Sequence, residues 1–169
     1  FPHEDVTSYA DFYTETVKLF DSKTTELFDI NKEPGSVKNL YGNSRFARGL
    51  LLARRLIQNN VRYVEVQLGG WDGQHGNPGT AANRTNAMDA PVAALLQDLE
   101  SQGLLDETMV VLTTEFGRTP RINGRGGRDH FPKAFSSMIA GGGVQGGQVI
   151  GETDDSASSI KTQSYEPKD

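Results

Sequence analysis

Apolar residues recur along this chain at two spacings, one helical and one alternating, separated by breaks rich in glycine, proline and asparagine. Thr7 is placed to cap a helix whose apolar side is Tyr9, Phe12, Tyr13, Val17 and Phe20, and Leu27, Phe28 and Ile30 extend the patch up to Pro34-Gly35. After the breakers Tyr41-Gly42-Asn43, Ser44 opens a stronger helix with Phe46, Leu50, Ala53 and Ile57 on one face. Asn59-Asn60 stops it, because asparagine tolerates the left-handed cap conformation. Its arginines, Arg45, Arg48, Arg54 and Arg55, read as surface charges and as a complement to the helix dipole. From Val61 to Leu68 the period changes to two: Val64, Val66 and Leu68 point one way, and Tyr63, Glu65 and Gln67 the other, as in a strand.

A polar turn region, Asn77 to Asn86, leads into a helix with Met88, Val92, Leu95, Leu96 and Leu99 on one face. Pro91 is expected in its first turn, since proline deeper inside removes a hydrogen bond and clashes with the preceding turn. Gly103 is expected as its C-terminal cap. The uninterrupted run Met109-Val110-Val111-Leu112 reads as a strand buried on both faces, Ala134 to Ala140 as a third strand and Gln148 to Gly151 as a short edge strand. Strand, helix, strand with short joints predicts a βαβ unit with parallel pairing. The expected fold is therefore an α/β domain over residues 1–151, a parallel-sheet core with flanking helices, followed by a polar, poorly ordered tail at 152–169. Three parallel strands leave an open edge, so segments outside this chain are expected to complete the domain in a longer parent. The opening at Phe1-Pro2-His3, without methionine, fits a piece of that kind, and the missing targeting signal then says little.

With 169 residues, composition narrows the partners. A net charge of −5, with no basic face and no basic run interleaved with aromatics, argues against nucleic acid. No apolar run approaches the length of a membrane span. The absence of cysteine excludes disulfides and thiolate metal sites without fixing a compartment. Gly141 to Gly147 lacks the Lys-Ser/Thr ending and the following helix of a phosphate-binding loop, and reads as a flexible turn.

The candidate chemistry collects where strands end, which is where ligands sit in open α/β sheets. After Leu68 come Gly69-Gly70-Trp71-Asp72-Gly73-Gln74-His75-Gly76-Asn77, with Asp72 and His75 at a spacing that lets both reach one metal ion. After the Met109 run, Glu115 to His130 carries Arg118, Arg121, Arg125 and Arg128 against Glu115 and Asp129, a local excess of +2, and closes on Asp129-His130. A cationic segment with metal-type ligands at both ends suits an anionic substrate held by a metal; a loop of solvated arginines fits the residue types equally well. On the first reading, Arg118 and Arg128 bind the equatorial oxygens of a phosphate or sulfate ester, and the oxygen and imidazole ligands take Zn, Mn, Mg or Ca.

The ordered set Tyr41-Gly42, Leu51 to Leu56, Gly69-Gly70-Trp71-Asp72 with His75-Gly76-Asn77, Asp98-Leu99 with Gly103 to Thr108, Glu115 to Pro120, Gly127-Arg128-Asp129-His130 and Gly141 to Gly151 resembles DUF1501, a sulfatase-like family on a distant branch of the alkaline phosphatase superfamily. The resemblance covers roughly residues 40–155 and implies a metal-dependent hydrolase fold and an exported protein. It matches Asp72 and His75 to one metal position, Glu115 to an acidic ligand at the next strand end, and His130 with Asp129 to the histidine that closes the site. Glu115-Phe116 stands where relatives have Asp-His, which would weaken or remove a second metal. The N-terminal Gly-Gly-x-x-x-x-Asp segment, the nucleophile and the C-terminal helical part of such proteins are not found in this chain, so the piece itself is expected to be inactive. The implied partner is an anionic small-molecule or glycan ester. The alternative is a non-catalytic relative that binds an anionic glycan or a partner protein through the arginine-rich loop.

Overall fold

The structure, a computed structural model, describes residues 13–14, 23–73 and 79–162. Of the helix expected from Thr7 onward, only Tyr13 and Thr14 are among them, both with helical backbone; Tyr9, Phe12, Val17 and Phe20 lie outside the described residues. The chain divides into two compact units, Phe1–Gln67 and Leu68–Asp169.

In the first unit, two 3-10 turns, Lys23–Phe28 and Ile30–Lys32, lead through Pro34 into helix α1 (Gly35–Tyr41) and then helix α2 (Arg45–Gln58). Ser44 caps α2 as its sequence predicts: the hydroxyl oxygen accepts from the Ala47 amide at 3.1 Å, satisfying one of the amides a helix start leaves unpaired. Asn60, with φ of 64°, takes the left-handed conformation that ends the helix. Tyr41, Ala47, Leu50, Leu51 and Ala53 form the core, while Phe46 and Ile57 are only half-buried. Burying a leucine as completely as Leu51 contributes about 2 kcal/mol.

Two of the arginines depart from the surface reading. Arg45 and Arg48 are exposed, but Arg54 retains only 3% of its surface. Arg54 Nη2 donates to Glu33 Oε2 at 2.5 Å and Nη1 to Gln58 Oε1 at 2.8 Å. Arg55 Nη1 donates to Glu33 Oε1, and its Nε to the Leu27 carbonyl at 2.7 Å. Arg54 lies four residues after Leu50 and three after Leu51, hence on the core side of α2. Two guanidinium groups sharing one carboxylate thus tie the segment before α1 to α2. Burial alone would push the Glu33 carboxyl up; the hydrogen bonds and charges of Arg54 and Arg55 outweigh it and hold the group below its ordinary value. Along 61–67, Val64 and Val66 are half-buried while Tyr63, Glu65 and Gln67 are exposed, the predicted alternation, with Val66 seated over Gly49 of α2. The stretch is extended but joins no strand ladder among the described residues.

In the second unit, helix α3 (Gly79–Ser101) starts well before the predicted point and carries Pro91 in its interior. Ala81, Ala82 and Ala87 favour helix, and the polar side chains between them mostly face solvent, so a long helix forms at the expense of the one hydrogen bond that proline cannot donate. Its buried stripe runs through Pro91, Ala94, Leu95, Asp98 and Leu99. Gly103, with φ of 68°, caps it as expected, and the Leu104 amide donates to the Leu99 carbonyl at 2.8 Å.

Strand β1 (Met109–Leu112) follows a 3-10 turn, Leu105–Glu107; β2 is Gly117–Arg118, β3 is His130–Phe131 and β4 is Met138–Gly141. The pattern is mixed α/β, but both described sheets are two-stranded and antiparallel: β1 pairs with β4, Met109 opposite Gly141 and Leu112 opposite Met138, and β2 pairs with β3. The predicted third strand therefore forms, over its last residues, and runs against β1. One face of β1 is open, with Met109 and Val111 exposing 56% and 53% of their surface, while Val110 and Leu112 on the other face are half-buried, so the strand is not buried on both sides. Gln148 to Gly151 makes no ladder, and Val149 is 97% exposed. From Glu152 to Thr162 the chain closes a turn bridged by Thr153 and Ile160. There the Ser159 hydroxyl and the Ser158 amide, followed by the Ser156 hydroxyl, push the exposed Asp154 carboxyl down to about 2.

Candidate functional site

The arginine-rich segment is a hydrogen-bonded hairpin. The register sets Gly117 opposite Phe131 and Arg118 opposite His130. Beyond the strands, the Thr119 amide donates to the Asp129 carbonyl at 3.0 Å, and the Asp129 amide donates to the Thr119 hydroxyl at 3.1 Å. Asn123 organises the tip: its Oδ1 accepts from the amides of Arg125 at 2.9 Å and Gly127 at 3.0 Å, a side chain standing in for a turn carbonyl. Gly117 is required where it stands, because a Cβ there would collide with the Ala134 carbonyl oxygen as the returning chain crosses β2.

Strand alternation sorts the side chains of this hairpin onto two faces. Arg118 and His130, opposed across the strands, share one face with Phe116, two residues before Arg118. The His130 ring lies 4.1 Å from the Phe116 ring, tilted by 34°, and the Arg118 guanidinium carbon sits 5.5 Å from the Phe116 centroid. Phe116 thus holds the imidazole and the guanidinium by its ring faces. Asp129 belongs to the other face: it accepts from Asn123 Nδ2 at 2.8 Å and lines, with Thr119, Asn123 and Ser156, a separate cavity of about 470 Å³.

Asp72 meets the first of these faces. Arg118 Nη1 donates to Asp72 Oδ1 at 3.3 Å and to the Arg128 carbonyl at 3.2 Å, and Nη2 donates to the Trp71 carbonyl at 3.3 Å. One guanidinium therefore ties the Gly69-Gly70-Trp71-Asp72 segment to the hairpin. Trp71 Nε1 donates to the Leu68 carbonyl at 2.7 Å, which fixes the turn ahead of Asp72. His130 Nε2 comes to 3.9 Å from the same Asp72 Oδ1. Asp72, 62% exposed in its side chain, is open to solvent on its other side.

The remaining predicted residues stand as follows. Glu115 is exposed and makes no hydrogen bond or ion pair with the described residues. Arg128 turns back on its own loop, where Nη1 donates to the carbonyls of Thr119, at 2.8 Å, and Pro120. His75 lies outside the described residues. Among the described residues, no group of three or more carboxylate and imidazole side chains surrounds one point. No described helix is long and apolar enough to cross a membrane.

A second cavity, of about 460 Å³, opens beside Asp72 and is lined by Gly70, Thr80, Asn83 and Arg84. The sequence reading placed Thr80, Asn83 and Arg84 in a polar turn. Their spacing of three and four residues is the available sign that they share one helical face. In the sequence Phe116 stands out only as a replacement for histidine; its separation of two from Arg118 puts it on the same strand face.

The site is thus a carboxylate and an imidazole brought together from distant segments, braced by an arginine and set beside a polar cavity in a mixed α/β chain. The chain belongs to the DUF1501 family: the family model described as "Protein of unknown function (DUF1501)" matches residues 2–169. No curated protein and no solved structure matches it.

Proposed function

We propose that this chain is the central part of a metal-dependent hydrolase of phosphate or sulfate esters, built on the parallel-sheet plan of the alkaline phosphatase and sulfatase proteins and completed by further segments of a parent protein. The observation that carries the reading is the 3.9 Å approach of His130 Nε2 to Asp72 Oδ1 on one solvent-open face. Metal–ligand bonds of about 2.0–2.6 Å to imidazole nitrogen and carboxylate oxygen can span that separation, so the pair fits one divalent ion as two of its ligands. The donor set, hard oxygen and imidazole without thiolate, suits Zn, Mn, Mg or Ca. His75 or Glu115 would supply a third ligand, and Asp129, hydrogen-bonded to Asn123, would act behind the site.

In this reading a bound divalent ion supplies Lewis acidity toward an ester oxygen. The chain's own residues set the geometry. Arg118 orients the Asp72 carboxylate and offsets its charge, and Phe116 fixes the plane of the His130 ring. With both arginine donors of Nη1 engaged, Arg118 works mainly by positioning. Zinc and manganese titrations of the chain by calorimetry test the idea: Asp72→Asn and His130→Ala are each expected to weaken binding at least tenfold, in line with measured costs of disturbing metal shells. Unchanged affinity in both variants would discard the shared site.

A second reading keeps the hairpin as a binding element without turnover, for an anionic glycan or a partner protein. Exposed Arg121 next to Ile122, which exposes 59% of its surface, favours it. Binding that survives a chelator and is lost in Arg121→Ala would select this reading over hydrolysis.

A further inference from the structure

The cavity beside Asp72 contains an arginine that the hydrolase reading does not yet use. Arg84 is half-buried on α3, and its Nε donates to the Gly70 carbonyl at 3.1 Å. The guanidinium occupies the space that a side chain at residue 70 would need. A Cβ at residue 70 would stand 2.5 Å from Arg84 Nη2, 2.9 Å from Cζ and 3.0 Å from Nε. Gly70 also has φ of 84°, a conformation that a side chain rarely adopts. The backbone favours glycine at this position, and a side chain there would displace the Arg84 guanidinium from its seat. Thr80, one turn earlier on α3, and the adjacent Asn83 line the same cavity as Arg84 and Asp72.

The chemistry of this lining is specific. Arg84 carries a fork of donors suited to an oxyanion, Thr80 a hydroxyl and Asn83 an amide. Arg84 and Arg118 together exceed the charge of Asp72 by one, before any metal is counted. Resting on the metal-dependent reading of Asp72 and His130, we propose that Arg84, with Thr80 and Asn83, forms the subsite for a tetrahedral oxyanion, the phosphate or sulfate group of the substrate, and that Gly70 is the positioning residue that seats Arg84. Arg128, folded onto its own loop carbonyls, leaves this role to Arg84.

The test is calorimetric titration of the full chain, zinc-loaded and chelated, with inorganic phosphate and with inorganic sulfate. Arg84→Gln is expected to weaken whichever anion binds at least tenfold. Arg84→Lys, which keeps the charge but loses the fork, should fall between it and the parent. Gly70→Ala should reproduce the loss of Arg84→Gln without removing the arginine, with its fold checked by circular dichroism because of the backbone strain. Arg84→Gln is a side-chain change on a helix surface and stands as the decisive variant if Gly70→Ala unfolds. Equal anion affinity in Arg84→Gln and the parent overturns the subsite, as does failure of the parent to bind either anion. Zinc affinity measured on the same samples separates the two ideas. A parent that binds no zinc removes the Asp72–His130 reading, while an Arg84-dependent anion affinity in chelator would still uphold the subsite.

Discussion

Two arginine–carboxylate clusters in this chain use the same chemical groups to opposite ends. In the first unit, Glu33 receives two guanidinium groups, with side-chain exposures of 4% for Arg54, 13% for Arg55 and 10% for itself. In the second, Arg118 reaches Asp72 at the longer distance of 3.3 Å, and 62% of the Asp72 side chain is in water. A carboxylate with both oxygens engaged and little solvent has no capacity left for a ligand; it is a structural clamp. One with most of its side chain in water, beside an imidazole and a cavity, stays accessible to a ligand. Burial, rather than the presence of charges, separates scaffold from site.

The comparison breaks most visibly at Glu33. Removing this carboxylate leaves two largely buried guanidinium groups sharing no counter-charge, and losing one partner of such a cluster costs about 3 kcal/mol. Glu33→Ala is expected to lower the unfolding free energy of the first unit by that amount, read as a lower urea midpoint in circular dichroism. A change below about 0.5 kcal/mol would show the cluster to be solvated and the contrast with Asp72 to be empty.

Acid provides a second, graded way in. The Glu33 pKa is lowered in the folded chain, so its contribution is fully present above the ordinary glutamate value of 4.5 and is lost as pH falls through the lower, folded value. Stability measured from pH 5 downward should therefore decline, and Glu33→Gln should flatten that decline. An identical slope in the variant would assign the acid sensitivity to other carboxylates.

How far these features could be read in advance follows from the range of each signal. Helix α2 was legible at both ends, from Ser44 and Asn60, because caps are local. The extended stretch at 61–68 showed its alternation, yet pairing depends on partners elsewhere, and among the described residues it joins no ladder. The beginning of α3 was hidden, since its first turns are polar and Pro91 marked a false start. At the site, the convergence of Asp72 with His130 could be anticipated from their positions at predicted strand ends. The outward turn of Asp129 could have been read from period-two alternation around His130, and Arg84 from its helical spacing to Thr80. The Glu33–Arg54 contact had no local signature: it joins residues with no shared pattern, and an arginine on a helix gives no warning of its own burial.

Asp72→Ala removes a carboxylate of the same kind as Glu33, bonded to the same kind of partner. An exposed ion pair is worth little, because water solvates both groups once they part and side-chain entropy opposes their pairing. Arg118 moreover keeps the carbonyls of Trp71 and Arg128 as acceptors when Asp72 is gone, so no buried donor is orphaned. Thermal unfolding of Asp72→Ala is therefore expected to stay within about 0.5 kcal/mol of the parent. If instead it matched the Glu33→Ala loss, Asp72 would be a second clamp holding the glycine turn to the hairpin, and its openness to solvent would no longer argue for a ligand.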